Sequence, residues 1–379
     1  MKNKKISVIM VGYLNQAPPA LTFIQALSES GYDVSVYAAG QNSQDDFKGY
    51  NFSNVKFENV IGDYNSSISL PRKLIRLVNI RKRIWNALSS VEHKGDLIVA
   101  ISEVTIKHLG EALLKRRYIY YQLELIKNIC YIPHLEFWKI NVEKIAANAQ
   151  KVIVCEYNRA HITKAWWKMQ YLPEVIMNKP FVPYLDMNNL PTDITEKISF
   201  INKKAAGRNI VLYQGVLSKQ RPIEPFIKAV ELNKEKYCFV LLSSGKPTID
   251  VSEGTLIHIP FVEPPYHLAI TSMAKIGVLA YNSGGNSSYS ELNPIYCAPN
   301  KVWEYARFGV PMVSNDLPGL RLEFEMNKIG ICCSNLSPSK ILSCYDSIQE
   351  NYENMANNAI NYYNSYDVRN EIIRIIKSV

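Results

Sequence analysis

The chain has 379 residues, 47% apolar and 20% charged, a composition that fits large globular cores and, at roughly 150 residues per domain, predicts two domains. Its 43 basic and 34 acidic residues leave a net charge of +9, which favours anionic partners such as nucleotides, nucleic acid or an anionic membrane surface. No apolar run approaches the roughly 18 residues of a membrane span, and the apolar part of the opening MKNKKISVIM is too short for a signal peptide, so a cytoplasmic protein is expected.

Residues 6–11 are a short apolar run that reads as a buried parallel strand. A loop at 12–17 follows, then a helix opened by Pro18 and Pro19, with Leu21, Ile24 and Leu27 on one face and Gly31 as its stop. Residues 32–38 make the next strand and complete a βαβ unit. Further strands are expected at 51–57, 96–101, 118–123 and 151–155, with helices over 135–149 and 158–169. Residues 171–205 break this rhythm. Pro173, Pro180, Pro183 and Pro191 and the polar tract 188–204 read as a linker.

The alternation then restarts. A strand at 209–214 leads through a loop at 215–221 to a helix over 222–233, with Ile223, Phe226, Ile227 and Val230 inward. Strands follow at 237–242, 256–259, 276–280, 312–314 and 329–332, and helices near 337–350, 351–364 and 367–378. The expected fold class is α/β, two Rossmann-like doubly wound parallel-sheet domains facing across a cleft. Ligands of such sheets bind at the carboxyl ends of the strands. The loops at 12–17, 123–127, 215–221, 243–247, 260–265 and 281–300 therefore carry the functional expectation.

The seven cysteines, an odd number, include no C-x-x-C pair. Cys155 and Cys238 lie beside or within apolar runs and read as buried free thiols in a reducing compartment. With no histidine pair at ligand spacing, a zinc site is not expected.

The stretch 297–316 holds the densest chemistry. Pro299 suits a helix start, Val302, Trp303, Tyr305 and Ala306 share an apolar side, and Gly309 and Pro311 stop the helix. Lys301 and Glu304, three apart, share one face. A helix start after an irregular loop offers unpaired N–H groups to an anion. The alternative is an ordinary surface helix carrying a Lys–Glu pair.

Several ordered segments of the second half resemble one family. LYQGVLSKQR at 212–221, IHIPFVE at 257–263, KIGVLAY at 275–281 and APNKVWEYARFGVPMVS at 298–314 resemble the nucleotide-sugar domain of GT-B glycosyltransferases, of the large retaining group called family 4. The likeness spans about 209–335, and the first half matches by architecture. It implies an acceptor-side domain at 1–200, a nucleotide-sugar domain at 205–364 and a final helix, about 365–379, packing back on the first domain. Carried over, Glu304 matches the glutamate that hydrogen-bonds the nucleotide ribose, and Arg221 the basic residue near the diphosphate. Gly215 matches a turn that lets main chain approach the donor, and Lys301 sits where a charge assists phosphates or sugar. Phe261, Tyr281 and Asn300 join this donor-binding set. Many members carry a second glutamate eight positions before the ribose glutamate. Here that position is Tyr296, with Glu291 and Asn293 nearby but out of register.

The resemblance implies transfer of a sugar from a nucleotide-diphosphate donor, a UDP-sugar being favoured, to a saccharide or lipid-linked saccharide acceptor. It points to surface-polysaccharide assembly (capsule, O-antigen or exopolysaccharide), with a retaining outcome. The leaving diphosphate must be met by cations and helix-end N–H groups. The sequence has no D-x-D, so neither a metal nor another cofactor is expected.

Among single residues, Glu124 after the strand at 118–123 is the catalytic candidate, its alternative a solvated loop acid or helix cap. Glu103, after the strand at 96–101, is open to the same two readings. An inverting reaction would need such a carboxylate, or a histidine, as base. Gly12, Tyr13 and Asn15 occupy the loop where an acceptor approaches, and Gln16 adjoins them. His134 and His258 read as structural. The stretch 71–88 is amphipathic and strongly basic. It reads either as a peripheral contact with anionic membrane, to which Lys115, Arg116 and Arg117 add charge, or as a surface helix on the first sheet. No aromatic-basic platform or reading helix supports nucleic-acid binding. A nucleotide-sugar 2-epimerase of the same fold and a catalytically inactive partner subunit remain the alternatives.

Overall fold

The computed structural model describes residues 5–47, 49–64, 69–90, 93–132, 136–181, 185–245, 247–282 and 289–379. His134, Lys246 and residues 283–288 of the expected donor loop lie outside the described residues. The chain divides into two compact units, one of residues 1–181, 288–293 and 367–379, the other of 182–287 and 294–366.

The first unit is built on seven strands: β1 (Lys5–Met10), β2 (Asp33–Ala38), β3 (Val55–Phe57), β4 (Leu97–Ile101), β5 (Tyr118–Tyr121), β6 (Lys151–Val154) and β7 (Glu174–Val175). All pair in parallel, in the order β3-β2-β1-β4-β5-β6-β7. Alternate side chains of β1 feed opposite faces, as strand geometry requires. Ile6, Val8 and Met10 join a core with Leu21, Ile24 and Leu27 of the Pro18–Glu29 helix and Ile372, Ile375 and Ile376 of the last helix, Val368–Lys377. Ile9 and Val11 join a second core with Ile80, Ile84 and Leu88 of the Leu70–Leu88 helix. Helices thus cover both faces, which is what a near-continuously apolar parallel strand needs.

The second unit has six parallel strands: β8 (Asn209–Gln214), β9 (Tyr237–Leu242), β10 (Leu256–Ile259), β11 (Ile276–Leu279), β12 (Met312–Asn315) and β13 (Gly330–Cys333), in the order β10-β9-β8-β11-β12-β13. Gly277 of β11 allows close packing here, since a Cβ would lie 2.5 Å from the Tyr305 ring.

The structure corrects several expectations. Residues 192–205 are a helix, Thr192–Ala205, not part of a linker. Ile194, Ile201 and Ala205, spaced seven and four, are buried on one face, a pattern the surrounding polar residues hide. The helix expected over 135–149 is only Val142–Asn148, preceded by a 3-10 turn at Glu136–Trp138. Of the readings left open for Glu103, the solvated loop acid is excluded, since the residue is buried and begins a helix, Glu103–Leu109. All seven cysteines are free thiols; Cys130 and Cys332 are half-buried and the other five buried.

Candidate active site

In each sheet the strand order reverses once, between β1 and β4 in the first and between β8 and β11 in the second. Loops diverge at such a point and leave a crevice at the carboxyl ends of the strands. Gly215, after β8, and Tyr281, just beyond β11, flank the second reversal.

Gly215 has φ +129°, a backbone open to glycine, and a Cβ there would lie 3.2 Å from Lys301 Nζ. The glycine therefore permits both the turn and the approach of the lysine. The Asn300–Arg307 helix supplies Lys301 and Glu304 from its first turns while burying Val302, Trp303, Tyr305 and Ala306. Tyr305 Oη donates to Leu212 O at 3.0 Å, which pins this helix to β8. An ordinary surface helix is thereby ruled out. Lys301 and Glu304 attract one another without touching as an ion pair, because Lys301 Nζ sits over the Tyr213 ring, 4.4 Å from its centroid, and 5.8 Å from that of Tyr281. The Arg221 guanidinium stacks on Tyr281 at 4.0 Å. Among the described residues neither half-buried cation forms an ion pair with a carboxylate. Removing charge from water without a counter-charge is costly. Burial, then the neighbouring Arg221, pushes the Lys301 ammonium down to about 7.

Glu304 is held by other groups. Gln214 Nε2 donates to its Oε2 at 2.5 Å, and Thr271 Oγ1 donates to Gln214 Oε1 at 2.7 Å, fixing the amide's orientation. His267 Nε2 lies 3.6 Å from Glu304 Oε1. Burial alone would raise the carboxyl's pKa, but His267, Gln214 and the charge of Lys301 outweigh it and hold Glu304 below the usual carboxylate range. The result is an oriented carboxylate beside two cations, with Lys301 in its field and, among the described residues, neither cation in a contact ion pair. Phe261 stands 62% exposed just beyond β10, and Asn300 opens the helix, half-buried. His258 Nε2 meets Ser243 O at 2.9 Å, a structural contact.

The first unit carries a different cluster. Glu103 is 5% exposed, and its Oε1 accepts from the backbone N–H groups of Leu123 at 3.0 Å and Glu124 at 2.8 Å. Burial, then the like charge of Glu124, pushes the Glu103 carboxyl up to about 8. Glu124 is half-buried, and its Oε2 accepts from Asn293 Nδ2 at 2.8 Å. Asn293 also accepts from Leu125 N at 2.7 Å through Oδ1 and from Arg159 Nη2 at 3.0 Å through its carbonyl. Ser102, just before Glu103, has φ +79°, a strained value for serine at a strand-to-helix turn. Gly12 follows β1 and accepts from Ala39 N at 3.0 Å, Tyr13 Oη accepts from Tyr64 N at 3.1 Å, and Asn15 is exposed in the turn Leu14–Gln16.

Gly215, Arg221, Tyr281, Lys301 and Glu304 thus come together in the second unit. Tyr213, Gln214, His267 and Thr271, not singled out from sequence, complete that cluster. The available signal for Gln214 is a polar residue closing the apolar strand NIVLYQ. His267 carries no such signal. Among the described residues no group of three or more His, Cys, Asp or Glu side chains could hold a metal ion.

No family model and no curated protein matches the chain. Solved structures do resemble it. A sucrose-phosphate synthase from Thermosynechococcus elongatus superposes with a TM-score of 0.65 at 13% identity, over 98% of this chain and 95% of that one. Anabaena HepE, solved with UDP and glucose, gives 0.65 at 14% identity over 99% of both chains. A putative UDP-N-acetylglucosamine 2-epimerase from Listeria monocytogenes gives 0.63 at 13% identity, over 100% and 97%. The likeness at these identities is one of fold, and the chain has the GT-B fold.

Proposed function

We propose that the chain is a glycosyltransferase that moves a sugar from a nucleoside-diphosphate donor, a UDP-sugar first among them, to a saccharide or lipid-linked saccharide acceptor. The observation that carries this reading is the pair of half-buried basic side chains, Arg221 and Lys301, both on Tyr281 and, among the described residues, neither in a contact ion pair with a carboxylate. Such a pair suits the diphosphate that leaves when the anomeric bond breaks. Glu304, oriented by Gln214 and His267, would accept hydrogen bonds from ribose hydroxyls. HepE, of the same fold, binds UDP, which supports the donor class.

The finer parts of the proposal are a metal-independent, retaining transfer in surface-polysaccharide assembly, at the cytoplasmic face of a membrane. Glu124 is the residue placed on the acceptor hydroxyl, and Gly12, Tyr13 and Asn15 take the acceptor. No helix among the described residues is long and apolar enough to cross a membrane. Peripheral contact through 71–88 is supported by Leu70, Ile75 and Val78, all more than 40% exposed on a helix with arginine and lysine beside them.

A thermal-shift series with UDP-, GDP-, dTDP- and CMP-sugars tests the donor class, because a ligand that binds only the native state raises its stability. One nucleotide family should raise Tm, and Arg221→Ala should abolish the rise. No response to any of them would overturn the enzymatic reading in favour of an inactive subunit. A second reading, nucleotide-sugar 2-epimerase, is favoured by the fold likeness to the Listeria protein. Formation of an epimer from donor alone, without acceptor, would establish it.

A further inference from the structure

The Leu70–Leu88 helix spends its cations unequally. Arg81 is committed to structure: its Nε donates to His108 O, its Nη2 to Lys107 O at 3.3 Å and to Tyr131 Oη at 3.3 Å, and its guanidinium sits over the Tyr131 ring. It caps the carboxyl end of the Glu103–Leu109 helix, where cations are favoured. Arg72, Arg76 and Arg83, spaced four and seven, share a different face. They line an open surface cavity of about 270 Å³ together with Ile61, Gly62, Asp63, Ile75, Asn79 and Ile80. Three arginines and one aspartate, Asp63, thus share its lining. Among the described residues neither Arg72 nor Arg83 has an acidic partner.

The cavity is built into the first unit. Gly40, two residues beyond β2, bridges Gly62, with Gly40 N donating to Gly62 O at 3.0 Å. The wall at 61–63 therefore lies beside the carboxyl edge of the sheet, where ligands of open parallel sheets bind. The Arg76 guanidinium stacks over Tyr64 at 4.4 Å, and Tyr64 N donates to Tyr13 Oη. One arginine is thereby held in place and tied to the loop after β1. Ile75, itself in the cavity wall, is 61% exposed, with Val78 at 59% and Leu70 at 44% on the same helix. A cationic pocket bordered by exposed aliphatic side chains matches an amphiphile whose anionic head is joined to an apolar chain.

We propose that the Arg72–Arg76–Arg83 cavity binds the diphosphate head of a lipid-linked acceptor. This rests on the transferase reading for the word acceptor, while the binding itself does not. Arginine is suited to the task because its planar fork meets phosphate oxygens in pairs. Specificity for a diphosphate head over a diffuse anionic surface follows from three arginines lining one pocket, in place of scattered surface charge.

The test uses the full-length chain and phosphatidylcholine vesicles carrying either a polyprenyl diphosphate or phosphatidylglycerol, at matched surface charge. Arg72→Gln/Arg83→Gln should weaken binding to the diphosphate vesicles about thirtyfold and to phosphatidylglycerol vesicles far less. Lys73→Gln/Lys82→Gln removes two charges of the same helix outside the cavity, and should weaken both vesicle types alike. Equal losses for the two double variants on both vesicles would overturn the proposal, leaving general surface electrostatics. Binding of soluble pyrophosphate as tight as that of the vesicles, lost in the arginine variant, would overturn the lipid source. UDP binding measured on the same samples separates the readings. Intact vesicle selectivity without nucleotide binding would sink the transferase reading alone, and the reverse result would sink this site alone.

Discussion

Glu304 in the second unit and Glu103 in the first are both withdrawn from water beside the carboxyl edge of a parallel sheet, yet their neighbours drive them apart. Glu304 meets Gln214 and His267 and is held below the usual carboxylate range. Glu103 meets two backbone N–H groups and the like charge of Glu124, and burial dominates, so its carboxyl keeps a proton at neutral pH. Burial therefore does not decide the role; the sign of the neighbours does. The first is an oriented carboxylate, the group that the proposed function gives to ribose hydroxyls. The second is a buried carboxyl whose neutral form is favoured, next to Glu124 on the same turn.

Removing Glu304 should give the largest effect. Glu304→Ala deletes a charged hydrogen-bond acceptor, a loss of about 1.5–3 kcal/mol, or roughly ten- to a hundredfold in nucleotide affinity. Calorimetry with the nucleotide identified by thermal shift measures it. Unchanged affinity would take Glu304 out of the donor site. Glu304→Gln keeps the shape and separates the charge from the contact.

The contrast predicts opposite pH behaviour. Unfolded, Glu103 titrates near 4.5, and in the native chain near 8. Between these values the native state binds more protons, so this group's contribution to stability is full below the lower value and is lost as pH rises. The slope is at most about 1.4 kcal/mol per pH unit. Glu103→Gln should remove it, so that the Tm difference, variant minus wild type, grows from pH 5 to pH 8. A constant difference would mean that Glu103 titrates normally.

Lys301 runs the other way. Its native value near 7 lies below its ordinary 10.5, so the native state binds fewer protons between them and stability rises with pH across that window. A bound diphosphate would add to the charge of Glu304 the contact counter-charge that Lys301 lacks, and restore the proton. Nucleotide binding at pH 8 should therefore take up close to one proton, read as a dependence of calorimetric enthalpy on the buffer's ionisation enthalpy. Lys301→Met should abolish the uptake. Uptake that persists in the variant would assign it to another group.

Much of this was legible in the residues. Alternating strand and helix, Gly215 after an apolar strand, and Lys301 and Glu304 at a helix start led to the correct architecture and gathered five residues in one cluster. What could not be read is long-range. Gln214 and Glu304 are 90 positions apart, and nothing local to either names the other. His267 lies on a short helix, His267–Thr271, whose pattern gives no hint that it meets a carboxylate. The readings of Glu103 stay open in the sequence because its burial depends on contacts with Leu123 and Glu124, twenty and twenty-one residues away. The Thr192–Ala205 helix was hidden because only three of its residues are buried. Asn293 was noted for its distance from a glutamate register, whereas its contacts are with Glu124, Leu125 and Arg159.

The smallest effect is expected where charge is most visible. Arg374 Nη2 donates to Glu174 at 2.7 Å and to Glu371 at 2.6 Å, and its side chain is 52% exposed. Counted as contacts, this network is richer than that around Glu103. Exposed pairs nevertheless contribute little, because water screens them and ordering long side chains offsets the attraction. Arg374→Ala should cost under about 1 kcal/mol, and less in high salt, where the Debye length shrinks to about 3 Å at 1 M. Denaturant unfolding at low and high salt reads the difference. A loss of several kcal/mol that ignores salt would show that Arg374 acts through packing of its stem on the last helix. The contrast between the glutamates would then have to be recast, with burial of the aliphatic chain outweighing the sign of the neighbouring charge.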